Sequence, residues 1–287
     1  MTNTAESRLG TAFHESFPLS RPQLGQILES IARANNEVDL TSANQRQQYL
    51  RETTHLGTNQ VKAMPSYALG AGLVDADYQL AGFGGAALES DRLLDKSSTQ
   101  WLMHYHLSAP HGPGPVFWND LIANYFRVGD EFSTEQIAQQ IAKVAAEAKG
   151  RELAVRTTDS TGTVFLGSYI QSDALGGLGI LEDLGDNRYR VLDPEPPSAW
   201  VFGLALLDYW RAHFGDRLTI NLSDLLTSGG LGDLFLIGSR RIDTYLTQLQ
   251  EEGYVDVYRV AHPYQVVLLQ QDERPLLQKL YELTDPA

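Results

Sequence analysis

The chain has no cysteine, which excludes disulfides, thiolate nucleophiles and cysteine-held metals, and fits a reducing compartment. No stretch approaches the roughly 18 to 20 consecutive apolar residues of a membrane-spanning helix, and residues 1–10 lack the apolar centre of a secretory signal; the expected location is the cytoplasm. Phosphate-binding loops are missing too. Gly82-Phe-Gly-Gly85 lacks the Lys-Ser/Thr that would follow, Gly176-Gly-Leu-Gly179 has no long strand before it, and both read as turns. There is no Gly-x-Ser-x-Gly elbow either. The expectation is a non-enzyme with no catalytic residues, no cofactor and no metal.

Positive charge is scarce: 22 Lys and Arg face 36 Asp and Glu, a net charge of −14. Affinity for nucleic acid comes largely from basic groups that neutralise phosphates and release counterions. A DNA-binding face must therefore gather a few basic side chains in one place; otherwise the partner is a protein. Local windows do not relieve this, since residues 51–80 hold two basic and three acidic side chains and residues 237–262 hold three Arg against four acids.

What is present is a pattern that occurs three times: a helix-like stretch, a break at Gly with an aliphatic residue, then a short strand-like run. The copies lie at 67–80, at 169–183 with 187–191, and at 245–260. A winged helix-turn-helix has this form, its second helix ending at Gly where the wing hairpin begins. At 287 residues, 43% hydrophobic and 20% charged, the chain is an ordinary globular protein large enough for two or three cores. The expected fold is mainly α with small β-wings (α+β), as tandem winged helix-turn-helix modules. The expected units are 1–93, 94–193 with a second module from about 132, and 194–287 after the stiff acidic linker Asp193-Pro-Glu-Pro-Pro197.

Apolar residues at Leu24, Ile27, Leu28 and Ile31 behind Pro22 predict a first helix. A second is expected over 45–54, a third after a Thr58 or Asn59 cap, and a short strand over 74–83. A helix from Ser97 is stopped by Pro110-His-Gly-Pro-Gly-Pro115, and 117–126 resumes as an aromatic core helix. Ser133 three residues before Gln136 forms a capping box for a helix with Ile137, Ile141 and Val144 inside. Its partner spans 157–175, interrupted at Gly162, before a wing turn at Asp186-Asn187. Ala199–Phe214 reads as a strongly apolar helix, buried or in a homodimer, and 220–226 as a short helix capped by Asn221 or Ser223. The clearest helix runs from a Ser239 cap to Gly253, with Ile242, Tyr245, Leu246 and Leu249 inside, followed by strands around Ala261-His-Pro263.

Recognition helices present their N-terminal residues to the DNA groove. The candidate DNA-contacting residues are therefore Ser239, Arg240 and Arg241, with Arg259 on the wing, and Thr58, Asn59, Gln60 and Lys62 at the start of the first-module helix. The competing reading makes these caps and solvated surface. His104, His106 and His111 invite a metal reading, but residues two apart on a helix point to different sides, so core and loop histidines are the better reading. His14-Glu15 reads as a buried structural pair that anchors the N-terminal segment to the first module.

Phe13-His-Glu-Ser-Phe-Pro-Leu19, Leu56-Gly-Thr-Asn-Gln-Val-Lys-Ala63 with Tyr67 and Gly72-Leu-Val74, Ser98-Thr-Gln-Trp-Leu-Met-His-Tyr-His-Leu107 and Phe117-Trp-Asn119 together resemble the bacterial family termed domain of unknown function 4007. In that family the first motif continues with an apolar residue and Arg, where this chain has Leu19-Ser20-Arg21. The family's second motif carries a Gly-Lys pair that is absent here. The resemblance implies the context of phage-defence islands, beside sulfurtransferase-like proteins of DNA phosphorothioation. It thus implies an accessory role with double-stranded DNA or defence-system proteins as partners. The alternative is a protein-interaction scaffold that uses acidic faces and the Trp101, Phe117 and Trp118 region without touching DNA.

Overall fold

Ser133 caps its helix as its spacing predicts: its hydroxyl accepts from the Gln136 N–H, and the Gln136 side chain accepts from the Ser133 N–H. In the computed structural model, which describes residues 8–34, 38–150, 152–260 and 262–282, this helix sits at the middle of a mainly helical chain with two small antiparallel sheets. The first seven residues of the polar leader and Ala261 in the expected hairpin loop lie outside the described residues.

The chain opens with α1 (Arg21–Arg33), α2 (Ala43–Thr53) and α3 (Gln60–Gly70). Pro22 lies in the first turn of α1, whose Leu24, Ile27, Leu28 and Ile31 are buried, and α1 packs on α3. Next come α4 (Gly82–Ser90), α5 (Ser97–Ser108) and α6 (Val116–Asp120), the last running into a π-helical turn at Leu121–Tyr125. The middle unit is β1 (Glu131–Ser133), α7 (Thr134–Lys149), α8 (Val155–Ile170), β2 (Leu181–Gly185) and β3 (Arg188–Val191). The remainder is α9 (Ala199–Phe214), β4 (Thr219–Asn221), α10 (Leu222–Leu225), α11 (Leu231–Leu234), α12 (Ser239–Glu251), β5 (Val255–Tyr258), β6 (Gln265–Leu268) and α13 (Arg274–Glu282).

Each sheet places its first strand beside its last, in the orders β1-β3-β2 and β4-β6-β5. Phe132 faces Tyr189 in the first, and Ile220 faces Val266 in the second. The β2–β3 turn is made by Asp186 and Asn187, both at positive φ (52° and 58°), the conformation that a tight hairpin of this hand requires. One connected apolar core runs from Leu19 to Tyr281.

Several expectations are corrected. Residues 74–83 form no strand beyond a single bridge between Val74 and Leu80, and Gly82-Phe-Gly-Gly opens α4. Gly84 is required there because a Cβ would lie 1.8 Å from the Leu73 carbonyl oxygen, so the glycine permits close packing and makes no turn. Helix α8 is continuous through Gly162, which faces the α7 backbone, its notional Cβ 3.5 Å from the Ala138 nitrogen. Ile220 belongs to β4, and only then does the capping box of Asn221 and Asp224 start α10. Gly238, not Ser239, is the N-cap of α12. Glu15 is exposed, whereas His14 is buried and meets Thr161 of α8 at 3.0 Å, so of the expected pair His14 and not Glu15 anchors the N-terminal segment, and it does so against the middle unit with help from Thr11 and Leu19. Trp101, Phe117 and Trp118 are buried and offer no docking surface. The apolar residues of α9 are consumed by packing on α5, α12 and α13, which removes α9 as a homodimer face.

A buried hydrogen-bond chain joins the units. His104 Nε2 lies 2.7 Å from the Leu234 carbonyl oxygen of α11 and its Nδ1 2.8 Å from the Tyr169 hydroxyl of α8. A carbonyl only accepts, so Nε2 carries the hydrogen; Nδ1 accepts from Tyr169, and Tyr169 accepts from Trp118 Nε1 at 2.8 Å. Arg21, buried at the start of α1, acts similarly, donating to the Ala174, Ser172 and Leu94 carbonyls and pairing with Asp95.

Tyr169→Phe strands the Trp118 N–H and the His104 nitrogen at once, and an unsatisfied buried group costs about 1 to 3 kcal/mol; urea unfolding should show a loss of about 2 to 4 kcal/mol. Burial brings the His104 imidazole down to about 4, partly opposed by its bond to Leu234, and burial brings His14 down to about 4 as well. Between the ordinary imidazole value near 6.5 and 4 the unfolded chain binds protons that the folded chain refuses. Stability is thus complete above about pH 6.5 and falls as pH drops toward 4, by about 3 kcal/mol for His104. His106 and His213 are lowered in the same direction, so unfolding measured across this range should show stability falling steadily as pH drops, and His104→Gln should reduce the slope by up to one proton.

Candidate nucleic-acid interface

Helix α12 is amphipathic in the way its sequence states. Ile242, Tyr245, Leu246 and Leu249 are buried, the Tyr245 hydroxyl donates to the Pro197 carbonyl, and the chain turns out of the helix at Gly253 with φ +76°, a conformation that glycine enters without steric cost. The opposite face is exposed: Ser239, Arg240, Arg241, Asp243, Thr244 and Thr247. Arg240 has no ion pair among the described residues. The Arg241 guanidinium lies 6.0 Å from the centroid of the Tyr245 ring, at the outer limit of a cation–π contact.

The β5–β6 hairpin returns Arg259 to this helix, where it pairs with Asp243 at 2.6 Å. Four of the eight sequence-derived candidates, Ser239, Arg240, Arg241 and Arg259, thus lie on or beside α12, with Arg259 at the Asp243 flank and Arg241 at the opposite flank, next to Pro197, Tyr245 and Glu252. The other four lie at the start of α3. Thr58 and Asn59 are exposed, and Asn59 occupies the N-cap without a side-chain hydrogen bond. The Gln60 side-chain oxygen accepts from the Gly57 N–H at 2.8 Å, and Lys62 is half-buried with no ion pair among the described residues. Among these residues no hydrogen bond or ion pair links the two sets.

Arg127 is the residue that sequence reasoning missed. Its guanidinium donates to the Phe126 and Ala123 carbonyls at 2.6 and 3.2 Å, and it borders a cavity of about 370 Å³ shared with Thr227, Ser228, Gly238 and Ser239. That places a cation from the segment between the π-helical turn and β1 beside the start of α12. A lone Arg after an aromatic run carries no signal of this. Arg188 and Arg190 are less available, since both pair with Glu131 and Arg190 also with Glu182. The Arg190 hydrogen bond, ahead of the other ion-pair effects, holds the Glu131 carboxyl below its usual range.

The three histidines separate as their spacing implies. His104 faces the core, whereas His106 and His111 lie toward Asp208 of α9, with His111 Nε2 2.7 Å from Asp208 Oδ2. Among the described residues no three or more His, Asp or Glu side chains converge as a metal-ligand set.

An exposed ion pair contributes little to stability, so Arg259→Ala should leave the unfolding free energy within about 0.5 kcal/mol of the parent. Tyr245→Ala, which empties a core site, should cost about 3 kcal/mol or more. Urea unfolding of both variants separates the side chains that hold α12 from those it displays.

Two solved structures share this fold. A magnesium ion-bound crystal structure of SspB aligns over 98% of this chain and 91% of that chain, with 16% identity and a TM-score of 0.75. A second SspB crystal structure aligns over 97% and 90%, with the same identity and TM-score. No curated protein matches the sequence. The family described as "Protein of unknown function (DUF4007)" matches residues 12–281, nearly the whole length, and the chain belongs to that family.

Proposed function

We propose that this chain is a DNA-binding component of a bacterial DNA-phosphorothioation or phage-defence system, built from winged helix-turn-helix modules. The observation that carries the reading is the order α9, β4, α10 with α11, α12, β5, β6, in which β4 lies beside β6 and the exposed start of α12 stands next to the hairpin. In a helix-turn-helix the second helix enters the major groove by its N-terminal residues; here those are Ser239, Arg240 and Arg241. Arg259 on the hairpin and Arg127 beside the helix start supply phosphate contacts. The order α6, β1, α7, α8, β2, β3 with the sheet β1-β3-β2 supports a second module, and α3 with Thr58, Asn59, Gln60 and Lys62 a third helix start of the same type. The family resemblance and the likeness to SspB support the phosphorothioation setting, with sulfurtransferase-like or other defence proteins as partners. The magnesium named for SspB finds no group of three or more His, Asp or Glu side chains among the described residues here.

Asp243 beside Arg259 and the net acidity limit affinity, so binding is weak and strongly salt-dependent. The scaffold reading gains one observation: Tyr258, Val260 and Leu269 of the hairpin region are exposed, Val260 almost fully, as a protein-facing surface would be.

In a gel-shift titration with duplex DNA at low salt, Arg240→Ala with Arg241→Ala should weaken binding at least tenfold, and Asp243→Asn should tighten it by freeing Arg259. Log affinity should fall linearly with log salt. No shift at low salt would refute the DNA reading and leave the scaffold.

A further inference from the structure

A cavity of about 110 Å³ lies where α4, α5, α9 and α13 meet, and neither reading above uses it. Phe83, Leu102, Leu204 and Leu277 wall it, and three polar side chains, His106, Asp208 and Glu273, line it. The His106 ring stacks on Phe83 at 5.9 Å and is seated against Gly72, where a Cβ would lie 2.5 Å from the ring. Gly72 also holds φ at +71°, so glycine is needed there twice over.

Each polar group presents an unused acceptor. Asp208 Oδ2 accepts from the Tyr105 hydroxyl at 2.9 Å and from His111 Nε2 at 2.7 Å, and Oδ1 has no partner among the described residues. Glu273 Oε2 accepts from Arg211 at 3.0 Å, and Oε1 has none. The His106 nitrogens make no hydrogen bond among the described residues, and burial keeps its imidazole below the usual value and therefore neutral at pH 7. Burial alone would raise the Asp208 carboxyl, but the His111 hydrogen bond, the nearby His106 and His111, and the Tyr105 hydroxyl bring it to about 2.

Arg211 offsets Glu273, whereas Asp208 has no Lys or Arg partner among the described residues, and its free Oδ1 against apolar walls calls for a cationic donor. The cavity shares Ala81, Gly82, Glu273 and Leu277 with an open groove of about 550 Å³. Glu89 and Glu282 edge that groove, and its one Arg, Arg274, is paired with Asp272. A cavity near 150 Å³ holds a benzene, so this one is sized for a chain of about four methylenes rather than a ring. An ammonium has three donors and a guanidinium five in a fixed fork, and three acceptors are on offer.

We propose that this cavity receives a lysine side chain of a partner protein, its stem between Phe83, Leu102, Leu204 and Leu277, its ammonium on Asp208, Glu273 and His106, and its flanking chain in the acidic groove. The proposal is independent of whether α12 binds DNA.

The test uses the full chain and three capped heptapeptides of Gly and Ala with a central lysine, acetyl-lysine or norleucine, followed by calorimetry and by the NMR signals of the His106 ring. The lysine peptide should bind and shift the His106 signals, and the other two should bind at least tenfold more weakly. Glu273→Gln removes an exposed carboxylate and should weaken lysine binding about tenfold, the order of one charge-assisted hydrogen bond. Leu204→Phe, which fills the cavity, should abolish it. Thermal melts confirm that each variant is folded; Asp208→Asn is avoided as the main variant because Tyr105 and His111 lean on that carboxylate. Equal binding of the three peptides, no binding of the lysine peptide at about 10 mM, or a His106 response to magnesium chloride with none to the peptide would each overturn the proposal.

Discussion

A neutral imidazole with both nitrogens engaged holds the three parts of this molecule in register. His104 stands on α5, takes its hydrogen from Tyr169 of α8, and gives its own to the Leu234 carbonyl of α11. In a dry interior an unpartnered nitrogen is expensive, so neither the middle nor the C-terminal unit can slide along α5 without breaking a bond that water cannot replace. Trp118 adds a fourth element through the Tyr169 hydroxyl. Arg21 does the same for α1, spending its guanidinium on three carbonyls around residues 94 and 172–174.

The displayed face follows from that frame. Leu234 precedes the turn into α12, so fixing its carbonyl to His104 also fixes where α12 begins, and with it Ser239, Arg240 and Arg241. Arg127 reaches the same place from the segment before β1, held there by the Ala123 and Phe126 carbonyls. The scarcity of positive charge then acquires a structural form. Arg188 and Arg190 are taken up by Glu131 and Glu182, and Arg21 and Arg211 by internal contacts. At α12 the wing cation Arg259 is likewise held by Asp243.

The local rules carried far along this sequence. The α12 stripe, the Ser133 capping box, the positive-φ pair at Asp186-Asn187 and the stop at Gly253 were all legible because each depends on neighbours within a turn or two. Gly84 and Gly162 are not legible from their neighbours because each packs against backbone outside its own helix, at Leu73 and Ala138. The candidate site was half legible: Arg259 beside α12 follows from the hairpin, but Arg127 there and His106 facing Asp208 need the tertiary fold. Most motifs that carry the family resemblance turn out to be core anchors. His14, Arg21, Trp101, His104 and Trp118 are buried, and Tyr67 gives its hydroxyl to the Phe17 carbonyl. Such motifs report the fold, and the displayed Thr58-Asn59 segment is where this chain departs from the family pattern.

Hydrogen exchange of the full chain with and without duplex DNA at low salt tests the central claim most directly. If the α12 face is the reader, added duplex should slow exchange at the first turn of α12 and along the β5–β6 hairpin, and leave the amides around His104 unchanged. Slowed exchange confined to surfaces away from α12, or none at all, would contradict it.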